Sequence, residues 1–123
     1  MTAQDRPVDG ELGAAISTAV VQMLAKRTGK GPTKAKTTFG DNGVFIVLED
    51  NLTKGERNLA EAGEEASVLA TRRRWQQVMR DEMTGVVEEL TGRRVIGFMS
   101  DNHIDPDLAV EVFVLERLSR ADL

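Results

Sequence analysis

The chain reads as an α+β domain in the order helix, hairpin, helix, helix, hairpin, with a four-stranded antiparallel sheet and its helices on one face. Three observations predict this. Apolar residues recur at helical spacing from Gly10 to Arg27 and again over about 64–90. Two pairs of short segments have strand character, each pair joined by a polar turn. A length of 123 residues suits one domain around one core.

Residues 1–9 are polar, hold Pro7 and are expected to form a mobile tail. The domain itself is expected over 10–118, with a second tail over 119–123. In the first helix, Leu12, Ile16, Ala19, Val20, Met23 and Leu24 follow one another in steps that keep them on one side. Gly29 stands at the cap position, and Lys26 and Arg27 complement the negative helix end. Pro32 prevents the helix from resuming.

From Thr33 to Phe39 the residues alternate, Ala35, Thr37 and Phe39 on one side and Lys34, Lys36 and Thr38 on the other, as in a half-exposed strand. Gly40-Asp41-Asn42-Gly43 is a turn. Val44 to Leu48 (VFIVL) is β-branched and aromatic, which predicts a buried strand. Thr53 and Glu56 have the spacing of a capping box, so a short helix is expected over about 54–62, ending at Gly63. A long helix follows over about 64–90, with Val68, Trp75, Val78, Met79, Met83, Val86, Val87 and Leu90 as its inward stripe. Gly92 is again a cap. Arg94–Ser100 and Leu108–Leu115 are the last two strands, joined by the turn DNHIDPD, where Pro106 interrupts the ladder.

The halves of the chain look alike. Thr28-Gly29-Lys30 matches Thr91-Gly92-Arg93, Asp41-Asn42 matches Asp101-Asn102, and VFIVLE resembles VFVLE. The offsets are unequal, so both a duplicated helix–strand–strand unit and convergent hairpin chemistry fit.

Composition narrows the function classes. A net charge of −4 argues against a general nucleic-acid binder. The absence of cysteine removes disulfides, zinc thiolates and cysteine nucleophiles, and fits a cytoplasmic protein. No apolar run approaches the roughly 20 residues needed to span a bilayer, and the N-terminus has no signal-peptide pattern. With one histidine, no cysteine and no tyrosine, catalysis is not expected, and neither is a cofactor.

The stretch TGKGPTK (28–34) has the composition of a phosphate-cradling loop but the wrong order. Such loops follow a strand and open a helix, whereas this one follows a helix and opens a strand, so the helix dipole has the wrong sign. A helix cap followed by a turn accounts for it. A weaker anion site would need Lys30, Lys34 and Lys36 to meet Arg93 and Arg94 in space; solvated charges at strand entries explain the same residues. On the long helix, Arg73, Gln76, Gln77 and Arg80 fall on one stripe that could contact a protein or an anionic surface. Asp101, His103, Asp105 and Asp107 do not match a calcium loop, since Pro106 and Val112 stand where glycine and glutamate are required; no metal is expected. The four phenylalanines all lie in predicted strands and are expected to pack in the core, as is Trp75.

The ordered series GKGPTK, LTKGERNLAEAG, LTGRRVIGFMSDNHIDPD and EVFVLE, with an arginine-bearing helix between the second and third, resembles the MpsC-like family of small bacterial proteins. The likeness runs from about Gly10 to Glu116. It implies an accessory partner, cytoplasmic or peripheral at the inner face of the membrane, for a sodium or bicarbonate transport system that helps to generate membrane potential. It carries over no catalytic residue. The expected contact residues are Lys30, Lys34, Arg73, Arg93 and Arg94, and the alternative is an anion or nucleotide sensor using the same basic loops. A homodimer is also expected, because so small a sheet leaves edges and one face to be covered.

Overall fold

Helix α1 (Asp5–Thr28) leads into a hairpin of β1 (Lys34–Phe39) and β2 (Gly43–Glu49). Helices α2 (Lys54–Glu61) and α3 (Glu65–Thr91) follow, and β3 (Val95–His103) with β4 (Leu108–Leu115) makes the second hairpin. The computed structural model describes residues 5–118, with side chains from residue 10 onward. Thus α1 starts before Gly10, and residues 1–4 and 119–123, read above as parts of tails, lie outside the described residues.

The four strands form one antiparallel sheet in the order β1-β2-β4-β3. The second strand of each hairpin is therefore central and the first is an edge. Helix α1 lies on β1, α3 lies on β3, and the two helices touch each other over the centre. Each half is thus a helix and a hairpin, and the halves are related by a pseudo-two-fold axis normal to the sheet between β2 and β4.

Close approach of α1 to β1 depends on small residues. A Cβ at Gly13 would lie 3.4 Å from the Thr37 carbonyl oxygen, and Ser17 Oγ is 2.8 Å from Thr37 Oγ1. Between the helices and the sheet, Ile16, Val20 and Leu24 of α1 meet Val44, Ile46 and Leu48 of β2, Phe113 and Leu115 of β4, and Met79, Met83 and Val87 of α3. Phe98 packs its ring 5.0 Å from that of Phe113, and Trp75 is half-buried against the same core. Burying each large apolar side chain here contributes roughly 1.5–3 kcal/mol.

Three expectations change. Strand β3 runs from Val95 to His103 rather than from Arg94 to Ser100, so Asp101, Asn102 and His103 pair with β4 and the turn shrinks to 104–107. The inward stripe of α3 is Val68, Arg72, Gln76, Met79, Met83 and Val87. Val78 is 62% exposed and Leu90 is on the surface, while Gln76, expected among the exposed arginines, is buried. The helix is rotated because a buried carboxylate on β4 gives Gln76 a partner inside. Likewise VFIVL is not buried throughout. Val44, Ile46 and Leu48 face the helices, but Phe45 and Val47 face the other way and are 41% and 45% exposed. No helix layer covers that side of the sheet among the described residues.

Candidate functional site

The two glycine-containing loops are built alike. Gly29 and Gly92 both have positive φ, 84° and 68°, and each donates its N–H to the carbonyl four residues earlier, Ala25 and Glu88. Thr28 Oγ1 donates to Leu24 O at 2.8 Å, and Thr91 Oγ1 to Val87 O at 2.6 Å. Both are helix caps, as the order of elements predicts. The basic residue that follows each cap then turns toward its own hairpin. Lys30 Nζ donates to the carbonyl of Asp50, just past β2, and lies 3.4 Å from the Asp50 carboxylate. Arg93 donates to the carbonyls of Glu116, just past β4, and Asp41, in the first hairpin turn, at 2.8 and 3.0 Å.

These contacts place Lys30 and Arg93 at opposite ends of the sheet. The sequence left open whether the basic loops meet; they do not. Lys34 is exposed at the Lys30 end, Arg94 is exposed at the Arg93 end, and Arg73 is exposed on α3. The five residues therefore do not share one surface. On α3, Arg73 is joined at helical spacing by Gln77 and Arg80, with exposed Arg74 and Val78 alongside. Among the described residues, none of Lys34, Arg73, Arg74, Arg80 and Arg94 is within 4.0 Å of a carboxylate oxygen.

Around Lys30 the charges form a surface network. Arg57 bridges Asp50 and Asp107, and Asp107 Oδ2 also accepts from the Leu52 N–H at 3.0 Å. Partial burial works to raise the Asp50 carboxyl, but Thr33 and the Lys30 and Arg57 charges outweigh it and hold the group below its ordinary range. His103 Nδ1 is 2.7 Å from Pro106 O, so the turn between β3 and β4 is closed by a polar group at its own edge. No three potential ligands among the described residues are grouped around a metal-sized position.

Sequence reasoning missed a buried polar cluster beneath α3. Glu111 of β4 is 1% exposed and accepts from Gln76 Nε2 at 3.0 Å. Gln76 Oε1 in turn accepts from Asn102 Nδ2 at 2.9 Å. One turn away, buried Arg72 pairs with Glu56 at 3.3 Å. Glu111 Oε2 has no hydrogen-bond partner among the described residues. Burial pushes the Glu111 carboxyl up to about 7, against the opposing pull of the Gln76 hydrogen bond, the Arg72 charge and nearby Ser100. A signal was present: in LAVEVFVL the alternation puts Glu111 on the same side as Ala109, Phe113 and Leu115.

The remaining feature is the open sheet face. Across the strands, the register aligns Thr38, Phe45, Val112 and Met99 in one row and Lys36, Val47, Val110 and Asp101 in the next. Its middle is apolar, its β1 edge is polar, and its β3 edge carries exposed Met99 as well as Asp101.

A family profile described as the Na+-translocating membrane potential-generating system (MpsC) matches residues 8–117. The uncharacterized protein YrhF of Bacillus subtilis (strain 168) is 30% identical over 101 residues, covering 80% of this chain and 83% of its own. No solved structure matches the chain.

Proposed function

The chain belongs to the MpsC family, and from that premise we propose that it is a non-enzymatic accessory protein that docks on the cytoplasmic side of a membrane ion-transport protein. The family description supplies the sodium-translocating context. No helix among the described residues is long and apolar enough to cross a membrane.

The observation that carries the docking surface is the outer face of α3. Arg73, Gln77 and Arg80 line one stripe, and Val78 is 62% exposed beside them. Arginines with no acidic partner among the described residues, next to an exposed apolar side chain, suit an interface in which a partner's carboxylates take the guanidinium forks. Lys34 lies on the open face of β1, away from α3, and Arg94 lies at the Arg93 end of the sheet, so neither belongs to this stripe. Lys30 and Arg93 have a different role in this reading, since both side chains are engaged by backbone carbonyls of their own hairpins.

The same geometry weakens an anion-sensing role, which required the two basic loops to converge. The experiment that tests docking is capture by a tagged chain, cross-linked in cells of its own host and solubilised from membranes. Wild type should recover a multi-span ion-transport protein, and R73E/R80E should not, at an unchanged melting temperature. Equal recovery by the variant, or recovery of no such protein by wild type, would contradict this reading. Retention by protein-free anionic vesicles alone would assign the stripe to lipid instead.

A further inference from the structure

We propose that the open face of the sheet is the interface of a homodimer, in which two copies pack sheet against sheet about a two-fold axis running along the strands between β2 and β4. The proposal does not depend on the docking surface of α3, which lies on the other side of the sheet.

The first support is the composition of the face. Phe45, Val47, Ile96 and Met99 are exposed on strands flanking or forming it, and Val110, Val112 and Val114 of β4 are only half-covered. Four strands at a spacing of about 4.8 Å, each about seven residues at about 3.3 Å, present about 450 Å² before side-chain relief. Two copies then bury roughly the 1,000 Å² at which specific interfaces begin. Face-to-face sheets pack with their strands near −30° to one another, which the twist of each sheet supplies.

The second support is charge, and it selects the occupant. One row of the face reads Lys36, Val47, Val110, Asp101 from edge to edge. It is positive at β1, apolar over the two central strands and negative at β3. A two-fold along the strands lays β1 of one copy over β3 of the other. Lys36 then faces the second copy's Asp101, twice over, and Val47 faces its Val110. In the neighbouring row Phe45 faces Val112. A two-fold across the strands would instead lay each edge on its own kind, Lys36 toward Lys36 and Asp101 toward Asp101. That row is therefore complementary to itself in one orientation. The resulting four-layer assembly keeps its helices outward, with both α3 arginine stripes accessible.

The test is sedimentation equilibrium of the purified full chain across a concentration series. Wild type should have twice the chain mass at tens of micromolar. Val47→Asp and Met99→Asp alter exposed side chains, so both should keep the far-ultraviolet circular dichroism of wild type and sediment as monomers. Lys36→Asp and Asp101→Lys should each weaken self-association about tenfold or more, because like charges then face one another. Mixing the two single variants should restore dimers, since the mixed pair has opposite charges at both contacts. The double variant K36D/D101K should dimerise as wild type does. A wild-type monomer at 100 µM (about ten times the level at which a stable dimer should persist) would overturn the proposal. So would a dimer indifferent to Val47→Asp, or one in which mixing the charge variants restores nothing.

Discussion

Lys30 and Arg93 make matching contacts at opposite ends of the sheet: each leaves a glycine helix cap and donates to the carbonyl just past the second strand of its own hairpin. Both side chains tie a helix end to a hairpin end. The lysine and arginine that most resemble an anion loop in the sequence thus act as clamps within the fold.

Removing either clamp should lower stability. Lys30→Met should cost about 1 kcal/mol, a modest figure because its ion pair is partly solvated. Arg93→Met should cost about 1–2 kcal/mol through two lost charge-assisted bonds. Urea unfolding would measure both. No loss in either variant would remove the clamp assignment.

The caps make a cleaner comparison between the halves. Gly29 and Gly92 have positive φ, and nothing lies within 4 Å of where a Cβ would stand. Alanine there meets only the backbone penalty of the left-handed region. Each substitution should therefore destabilise by about 1 kcal/mol, to a similar extent in the two halves. A melting temperature unchanged by either would show that the helix end relaxes to another cap.

Glu111 gives the fold a dependence on pH. Its carboxyl is raised from 4.5 to about 7 in the folded chain. Between those values the folded state binds more protons than the unfolded state, so this residue makes stability fall as pH rises from about 4.5 to 7. Below that window the neutral acid carries no penalty; above it the penalty is complete, on the order of 3 kcal/mol. Glu111→Gln should be more stable than wild type at pH 8 and flatten the pH profile. A parallel profile for the two proteins, measured by denaturant unfolding from pH 4.5 to 8, would contradict the assignment.

The capping box of α2 offers a local test. Thr53 Oγ1 accepts from the Glu56 N–H at 3.1 Å, and the Glu56 carboxylate accepts from the Thr53 N–H at 2.8 Å. Because Glu56 also holds buried Arg72, Thr53→Ala should cost about 1 kcal/mol or somewhat more. A loss under about 0.3 kcal/mol, at the low edge of capping effects, would mean that the rest of the network holds α2 alone.

Much of this was legible in the residues. Gly29, Gly92 and the Thr53–Glu56 pair mark their helix ends because caps are local, and strand alternation in β1 and β4 is equally local. The order β1-β2-β4-β3 was not legible, since pairing of β2 with β4 joins residues 59 to 71 positions apart. The face of α3 was misread for a related reason. Apolar periodicity assumes that polar side chains seek water, yet Gln76 and Arg72 lie inside because Glu111 and Glu56 reach them from other elements. Val78 is displaced outward by the same rotation. The half-open state of β2 likewise depends on what covers its far side, which no residue of β2 encodes.

The most direct test of the accessory role is sodium efflux from cells of the native host lacking this chain, loaded with sodium and followed with a sodium-sensitive dye. The proposed function predicts slowed efflux, restored by wild type and by Thr53→Ala but not by R73E/R80E. Efflux at the normal rate in cells without the chain, or full rescue by R73E/R80E, would contradict it.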